Sequence, residues 1–191
     1  MRLKGSYTLE VRDREGRLLK RVRRPSRSYV RSIVDIWACQ WGNQSAVTSP
    51  DTGNTSRTLG INSAGPRMSG PNDDSTYGPV VGTGTNAVAI GDYALQTQVA
   101  HGTGAGQLDY EVTTYQNLQT SGSTRKFELR RLFVNQSGAS ITVNECGIYA
   151  QFEDSGAVVR YFCAVRDLVS PGVAVPNGGS ATLTYTIGVT A

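Results

Sequence analysis

The chain has 191 residues, of which 38% are hydrophobic and 18% are charged, and it is rich in Gly, Ser, Thr and Asn. This length is enough for one domain with a hydrophobic core, and the composition favours short strands and turns over helices. No segment is long and apolar enough to span a bilayer, and residues 1–5 precede no apolar stretch of the kind found in secretory signals. We therefore expect a protein that is made in a cytosol and has no membrane partner.

The net charge of +4 is unevenly distributed along the chain. Residues 1–31 hold 11 of the 19 basic residues and only three acids, which gives this segment a net charge of +8. The remaining 160 residues hold 8 basic and 12 acidic side chains, a net charge of −4. This asymmetry predicts that the two ends of the chain face different partners.

The N-terminal segment has the pattern of a basic β-hairpin. Tyr7, Leu9 and Val11 alternate with polar residues and predict a half-buried strand. Residues 13–16 form a turn signal that ends in Gly, and residues 17–24 read as the return strand. The candidate partner-binding residues on and after this strand are Arg17, Lys20, Arg21, Arg23, Arg24, Arg27 and Arg31.

Three interpretations of this basic surface remain open. It could dock on an acidic protein surface, contact nucleic-acid phosphates, or form a solvated face without a partner. Tyr29 is the only aromatic residue between the hairpin and the next helix, so stacking on bases has little support. Docking on a protein is therefore favoured, and nucleic acid stays a second choice.

A single amphipathic helix of about four turns is predicted after the hairpin. Ser26 or Ser28 could cap its N-terminus, and Gly42 is a typical C-terminal stop. We expect Trp37 and Trp41 to anchor it. The apolar residues at helical spacing are Val30, Ile33, Val34, Trp37, Ala38 and Trp41.

Residues 43–79 differ in composition from the segments on either side. They contain four of the seven prolines and few apolar residues, and cannot build a core of their own. A loop of this length inside a compact domain is often functional. We interpret it as an extended arm or partner-binding loop, with a flexible surface insertion as the alternative. It separates an N-terminal unit, residues 1–42, from a body, residues 80–191.

Strand-like segments dominate the rest of the chain and are separated by turn signals rich in Gly, Asn, Asp and Ser. Several short strands at this spacing are typical of a β-sandwich or jelly roll. The predicted fold is therefore mainly β, an antiparallel sandwich or jelly-roll-like body with one N-terminal hairpin and one α-helix. The candidate strands of the body are 80–81, 87–90, 107–115, 126–135, 140–152, 158–165 and 182–189.

No set of residues has the spacing of a known catalytic or cofactor site. His101 is the only histidine and lies in a glycine-rich stretch, where a triad would also need an oriented nucleophile and a carboxylate. The glycine-rich segments 82–84 and 102–106 lack the lysine of a phosphate-binding loop. We predict that the chain is not an enzyme and binds no cofactor.

Metal binding is not indicated either. The acids that could contact a hard cation, Asp73 with Asp74 and Asp51 with Asp92, lack the alternating pattern of a calcium loop. The three cysteines are Cys39, Cys146 and Cys163, an odd number with wide spacing. They are therefore predicted to be buried free thiols, not disulfides or zinc ligands.

Several carboxylates and guanidinium groups fall within the strand-like runs. Paired carboxylates could serve glycoside hydrolysis, but cross-strand ion pairs on the solvent face of a sheet are much commoner. The second interpretation is adopted for Glu128, Glu145, Arg130, Arg131, Arg160 and Arg166.

Three stretches between residues 80 and 191 resemble, as an ordered set, a family of small structural proteins of tailed bacteriophages. The first is VVGTGTN at 80–86 followed by GDYAL at 91–95. The second is RLFVNQSG at 131–138 followed by ITVNECGIY at 141–149. The third is VRDL at 165–168 followed by VAVPNGG at 173–179 and a closing strand.

The resemblance implies a virion component assembled in the host cytoplasm, at a capsid-decoration, neck, tail or fibre-associated position. Its implied partners are copies of itself and neighbouring proteins such as the major capsid, portal-neck or tail proteins. Residues 1–79 lie outside the resemblance.

Two other functions remain as alternatives. The first is a carbohydrate-binding or host-recognition module of a phage particle, for which Tyr77, Tyr93, Tyr110 and Tyr115 are the candidate aromatic contacts. The weaker alternative is nucleic-acid binding through the basic N-terminal segment.

Overall fold

A computed structural model of the chain describes residues 2–61 and 65–190. Residues 1, 62–64 and 191, which belong to the predicted N-terminal unit, arm and body, lie outside the described residues. The prediction of a mainly β fold is confirmed, since the described part has eleven strands and one helix. The elements are β1 (Arg2–Arg12), β2 (Leu18–Ser26), α1 (Arg31–Trp41), β3 (Thr48–Pro50), β4 (Ser56–Thr58), β5 (Gly78–Gly82), β6 (Asp109–Tyr110), β7 (Thr114–Ser121), β8 (Thr124–Val134), β9 (Ile141–Glu153), β10 (Val159–Val175) and β11 (Ser180–Thr190).

The strands form two main sheets, and every pairing is antiparallel. The first sheet has the order β2-β1-β11-β8, with β6 and β7 both paired to β8. The second has the order β10-β9-β5, and β3 and β4 form a separate short hairpin. The predicted N-terminal hairpin is therefore an integral part of the larger sheet, because β1 joins β11 near the C-terminus of the chain.

The larger of two hydrophobic clusters contains buried residues from both main sheets. Tyr7 lies opposite Tyr185 and Leu9 opposite Leu183 in the register of β1 and β11, and all four are buried. The same cluster contains buried residues of β9 and β10 in the second sheet. The alternation read at Tyr7, Leu9 and Val11 is thus explained by burial of one face of β1. The finer assignment to a sandwich or jelly roll stays a prediction.

The segment at 87–90 was expected to be a strand, and this expectation is wrong. It lies in the loop between β5 and β6, where a turn places the backbone N–H of Ala89 on the Asp92 carboxylate at 2.9 Å. The carbonyl of Ala87 accepts a hydrogen bond from Arg166. These side-chain partners replace the strand pairing that the apolar run suggested.

The helix is confirmed, but its predicted anchor and cap need correction. The buried face of the helix consists of Ser32, Ile33, Ile36 and Cys39. This face is rotated by about one residue position from the predicted apolar face. Trp41 is 79% exposed and stacks on the partly buried Trp37, so Trp41 does not anchor the helix.

The helix begins after Val30 with no side-chain cap. Neither predicted serine caps it: Ser26 donates to Asp167 instead, and Ser28 accepts the backbone N–H of Arg166 through its carbonyl. Gly42 ends the helix as predicted.

All three cysteines are buried free thiols, as predicted. Burial raises the pKa of both Cys146 and Cys163, which keeps these thiols protonated. No helix in the described ranges has the length and apolar character needed to cross a membrane.

Within residues 43–79, the described residues between 52 and 67 contact the second sheet, and residues 71–77 contact the first. Leu59 is buried, and the backbone of Arg67 exchanges two hydrogen bonds with that of Gln151 in β9. Gly60 and Thr52 bond to backbone carbonyls of β9 and β10. The interpretation of this segment as an extended arm or partner-binding loop stays a prediction.

Two turns of the chain share one side-chain-supported geometry. In each, an aspartate accepts the backbone N–H groups two and four residues later, and the arginine six residues later donates to its second oxygen. The aspartates are Asp51 and Asp154, and the hydrogen bond from Arg160 lowers the pKa of Asp154. The residue three positions on has a positive φ, 61° at Asn54 and 58° at Ala157.

Ala157 should be a point of backbone strain, because a left-handed alanine costs about 1–2 kcal/mol relative to glycine. Replacing it (Ala157→Gly) should stabilise the protein by about 0.5–1 kcal/mol after the added freedom of the unfolded chain is counted. Urea unfolding measures the difference. The matched control is Gly138→Ala, at φ 84° in open space, which should destabilise by a similar amount. A loss of stability in Ala157→Gly contradicts this account.

Candidate partner-binding surface

The strand β2 forms one edge of the larger sheet. It pairs with β1 on one side, and among the described residues no strand pairs with its other side. Seven of its nine residues are exposed, the exceptions being Val22 and Ser26. The preceding turn is held by Asp13, which accepts hydrogen bonds from both the backbone and the guanidinium of Arg17. The hairpin therefore presents a well-defined basic edge.

The register of β1 and β2 divides the basic side chains between the two faces of the sheet. Arg21 and Arg23 lie opposite Glu10 and Thr8, on the face that points away from the core. Lys20 and Arg24 lie opposite the buried Val11 and Tyr7, on the core side but at its exposed rim. Positive charge thus surrounds the open edge from both faces.

The position of Pro25 indicates which backbone groups of β2 point outward from the sheet. Pro25 lies opposite Ser6 and has no N–H, so this pair cannot exchange ladder hydrogen bonds. Since bonded and non-bonded pairs alternate in antiparallel strands, the N–H and C=O groups of Arg21 and Arg23 point outward from the sheet. The Arg24 guanidinium reaches the Arg23 carbonyl at 3.3 Å, consistent with that direction.

Some of the predicted site residues are neutralised by neighbouring acids. Arg17 pairs with Asp13 and Glu15, Arg21 with Glu10 at 2.7 Å, and Arg31 with Asp35 at 3.2 Å. Within the described part of the chain the other four form no ion pair with a carboxylate. These are Lys20, Arg23, Arg24 and Arg27.

The structure therefore brings most of the predicted set together. Arg17 precedes β2, four of the residues lie on it, and Arg27 follows its last residue. Arg31 is separate, because it begins α1 and also donates to the Thr48 carbonyl. All seven side chains are exposed.

A buried carboxylate lies at the end of this edge. Asp167 accepts hydrogen bonds from Ser26 at 2.6 Å and from Tyr185 at 3.2 Å. Burial raises the pKa of Asp167, and the hydroxyl donors only partly offset that effect. An open cavity of about 480 Å³ adjoins it, with Arg24 and Tyr7 among the lining residues.

A second buried group of charges, which sequence reasoning missed, joins the three resembling stretches. The Arg166 guanidinium donates to Glu145 at 2.8 Å and to Asp92 at 2.7 Å. Burial alone would lower the pKa of Arg166, but its hydrogen bonds to the two carboxylates raise it. Glu145 is fully buried and Arg166 is 2% exposed, so the expectation that they lie on the solvent face of a sheet is wrong.

Glu145 holds the loop between β5 and β6 on β9. Its two oxygens accept the backbone N–H groups of Gly84, Gln96 and Thr97 at 2.8–3.1 Å. This loop covers the outer face of β9, and residues 145–150 of that strand are all buried. A signal was present in the sequence: the run from 145 to 150 does not alternate, as in a strand buried on both faces.

Arg131, in β8, likewise holds nearby loops through hydrogen bonds to their backbone. It is fully buried, and its guanidinium donates to the carbonyls of Pro71, Asp74, Tyr77, Pro79 and Glu111. The group also lies over the Tyr110 ring, 4.9 Å from its centre. It too was expected on a solvent face, and that expectation is wrong.

His101 lies between two carboxylates. Its Nδ1 is 3.5 Å from Asp109 and accepts the Tyr110 backbone N–H at 3.2 Å, whereas its Nε2 is 3.9 Å from Asp73. The three side chains have the residue types of a metal site. The geometry does not suit a single ion, because the carboxylates approach opposite nitrogens and Nδ1 already has a donor.

The tyrosines proposed for carbohydrate contact do not form one platform. Tyr110 is fully buried, and its hydroxyl donates to the Val99 carbonyl. Tyr77 stacks on Tyr161, and Tyr115 packs on Phe127 of the adjacent strand β8. Tyr93 is 37% exposed in the loop between β5 and β6.

Comparison of the chain with protein-family models, with curated proteins and with solved structures gave no match.

Removing the Arg166 charge should strongly destabilise the protein, because it leaves Glu145 buried without a counter-ion. We expect Arg166→Met to lower the free energy of unfolding by about 3–5 kcal/mol. The control is Lys126→Met, which breaks a half-exposed pair with Glu128 at 3.8 Å and should cost about 1 kcal/mol or less. If urea unfolding shows equal losses of stability in the two variants, Arg166 is not the essential counter-ion of Glu145.

Asp167 should make stability depend on pH with a defined sign. Its folded-state pKa is raised above 3.8, so above that pH the unfolded chain releases this proton more readily than the folded protein. Stability should therefore fall as the pH rises from about 4 through the raised pKa. Measured against Asp167→Asn, the wild-type chain should lose relative stability across that window. A flat difference contradicts the raised pKa.

Proposed function

We propose that this chain is a non-enzymatic structural component of a bacteriophage virion. It acts by assembling with copies of itself and by contacting neighbouring virion proteins at a capsid-decoration, neck or tail position. The observation that carries the contact role is the open, basic edge strand β2, whose Lys20, Arg23 and Arg24 form no ion pair within the described residues.

The virion assignment rests on the sequence resemblance of three stretches of the body. The three resembling stretches contribute Asp92, Glu145 and Arg166 to a single buried ion-pair cluster. The resemblance therefore concerns the framework of the body, and the contact surface lies outside it.

The favoured partner surface is acidic protein. The basic side chains lie on a flat strand edge and on both of its faces, a shape that suits another polypeptide segment. Nucleic acid would also neutralise these charges, but no exposed aromatic residue is interleaved among residues 17–27 to stack on bases.

The proposal is tested by the composition of purified particles. Particles of the phage that encodes this chain, banded in a density gradient and analysed by quantitative mass spectrometry, should contain it in a fixed ratio to the major capsid protein. A structural component gives the same ratio from one preparation to the next. Absence from banded particles, or a variable trace amount, overturns the proposal.

The proposed self-assembly is tested by the oligomeric state of the purified chain. Light scattering of the purified chain at several concentrations should show a discrete oligomer, since symmetric association is the common mode for such subunits. A monomer at every concentration removes self-association from the proposal and leaves only the contacts with other proteins.

A further inference from the structure

We propose that β2 binds an acidic, extended segment of a partner protein as an added antiparallel strand. This inference rests on the proposed function, because it specifies how that function's basic surface recognises its partner. It commits to the chemistry of the occupant: a strand with carboxylates at alternate positions.

The backbone of β2 is free to accept such a strand. Arg21 and Arg23 direct their N–H and C=O groups away from β1, and no backbone group of the described residues bonds to them from that side. An added strand would exchange two hydrogen bonds with each of these residues. Pro25 has no N–H to offer and marks the end of the ladder.

The side chains set the charge of the occupant. In an antiparallel ladder, residues directly opposite each other project to the same face. A carboxylate opposite Arg23 would therefore lie beside a guanidinium that has no ion pair among the described residues. A carboxylate opposite Arg21 would share the guanidinium that already pairs with Glu10. A residue opposite Val22 would lie on the core side, between Lys20 and Arg24.

A second copy of this chain does not suit the same edge. Pairing β2 with β2 would place the basic side chains of one copy directly beside those of the other, which is destabilising. Charged residues on an edge strand commonly prevent this kind of self-pairing. The same charges attract an acidic strand, so the edge excludes one partner and selects another.

The test uses a fluorescent seven-residue peptide, Thr-Glu-Val-Glu-Val-Glu-Thr, titrated with the full chain and followed by anisotropy. Methylating the backbone nitrogens of the glutamates removes the N–H groups that face β2, and should weaken binding about tenfold or more. Methylating the valine nitrogens modifies N–H groups that point away, and should leave binding within about twofold. The charge is identical in all three peptides.

A pair of protein variants tests the location. Arg23→Glu should abolish binding, whereas Arg14→Glu, with the same change in net charge in the exposed hairpin turn, should retain most of it. The proposal is overturned if the peptide does not bind, if both methylated peptides bind equally, or if both variants lose binding equally. It is also overturned if duplex DNA, but not the peptide, binds in an Arg23-dependent manner.

These outcomes are separate from those of the particle experiment. The chain could be present in particles at a fixed ratio while the peptide fails to bind, in which case strand addition is wrong and the structural role stands. Peptide binding by a chain that is absent from particles would support the edge and remove the virion assignment.

Discussion

The fold depends on hydrogen bonds between buried charged side chains and the backbone of the loops that pack on β9 and β8. The segments that cover β9 and β8 have little regular structure, so their N–H and C=O groups lack ladder partners. A buried backbone group without a partner is costly. Glu145 accepts three N–H groups from one loop, and Arg131 donates to five carbonyls, three of them in the loop before β5. These two side chains thus supply hydrogen-bond partners that a neighbouring strand would otherwise provide.

This arrangement explains how a chain with few apolar residues keeps its main hydrophobic cluster dry. Loops rich in Gly, Ser, Thr and Asn add little apolar area, but they exclude water from β9 once their backbone is satisfied. Arg166 completes the cluster, because it neutralises Glu145 and Asp92 and also donates to the Asn86 carbonyl at 3.0 Å. Charge in the interior thus compensates for a limited supply of apolar surface.

The contrast between β1 and β9 shows how much of the fold could be read from the sequence. The alternation of Tyr7, Leu9 and Val11 follows from one solvated face, so pattern alone was sufficient for that hairpin. β9 is buried on both faces because a distant loop folds over it. The non-alternating run at 145–150 indicates burial on both faces but does not identify the segment that covers the strand. Glu145 and Arg131 were misplaced for this reason, since a charged residue in a strand reads as solvent-facing until its long-range partners are known.

The sequence predicted which residues form the candidate surface, but not that they lie on an open edge strand. The cluster of arginines at 17–31 was visible as composition, whereas the open edge depends on β1 pairing with β11, about 180 residues away in the chain. The interior cluster belongs to the resembling stretches, and the edge lies outside them. The buried charges thus hold the body together, whereas the candidate contact residues lie on an exposed edge strand that is joined to the core through the buried Val22 and Ser26.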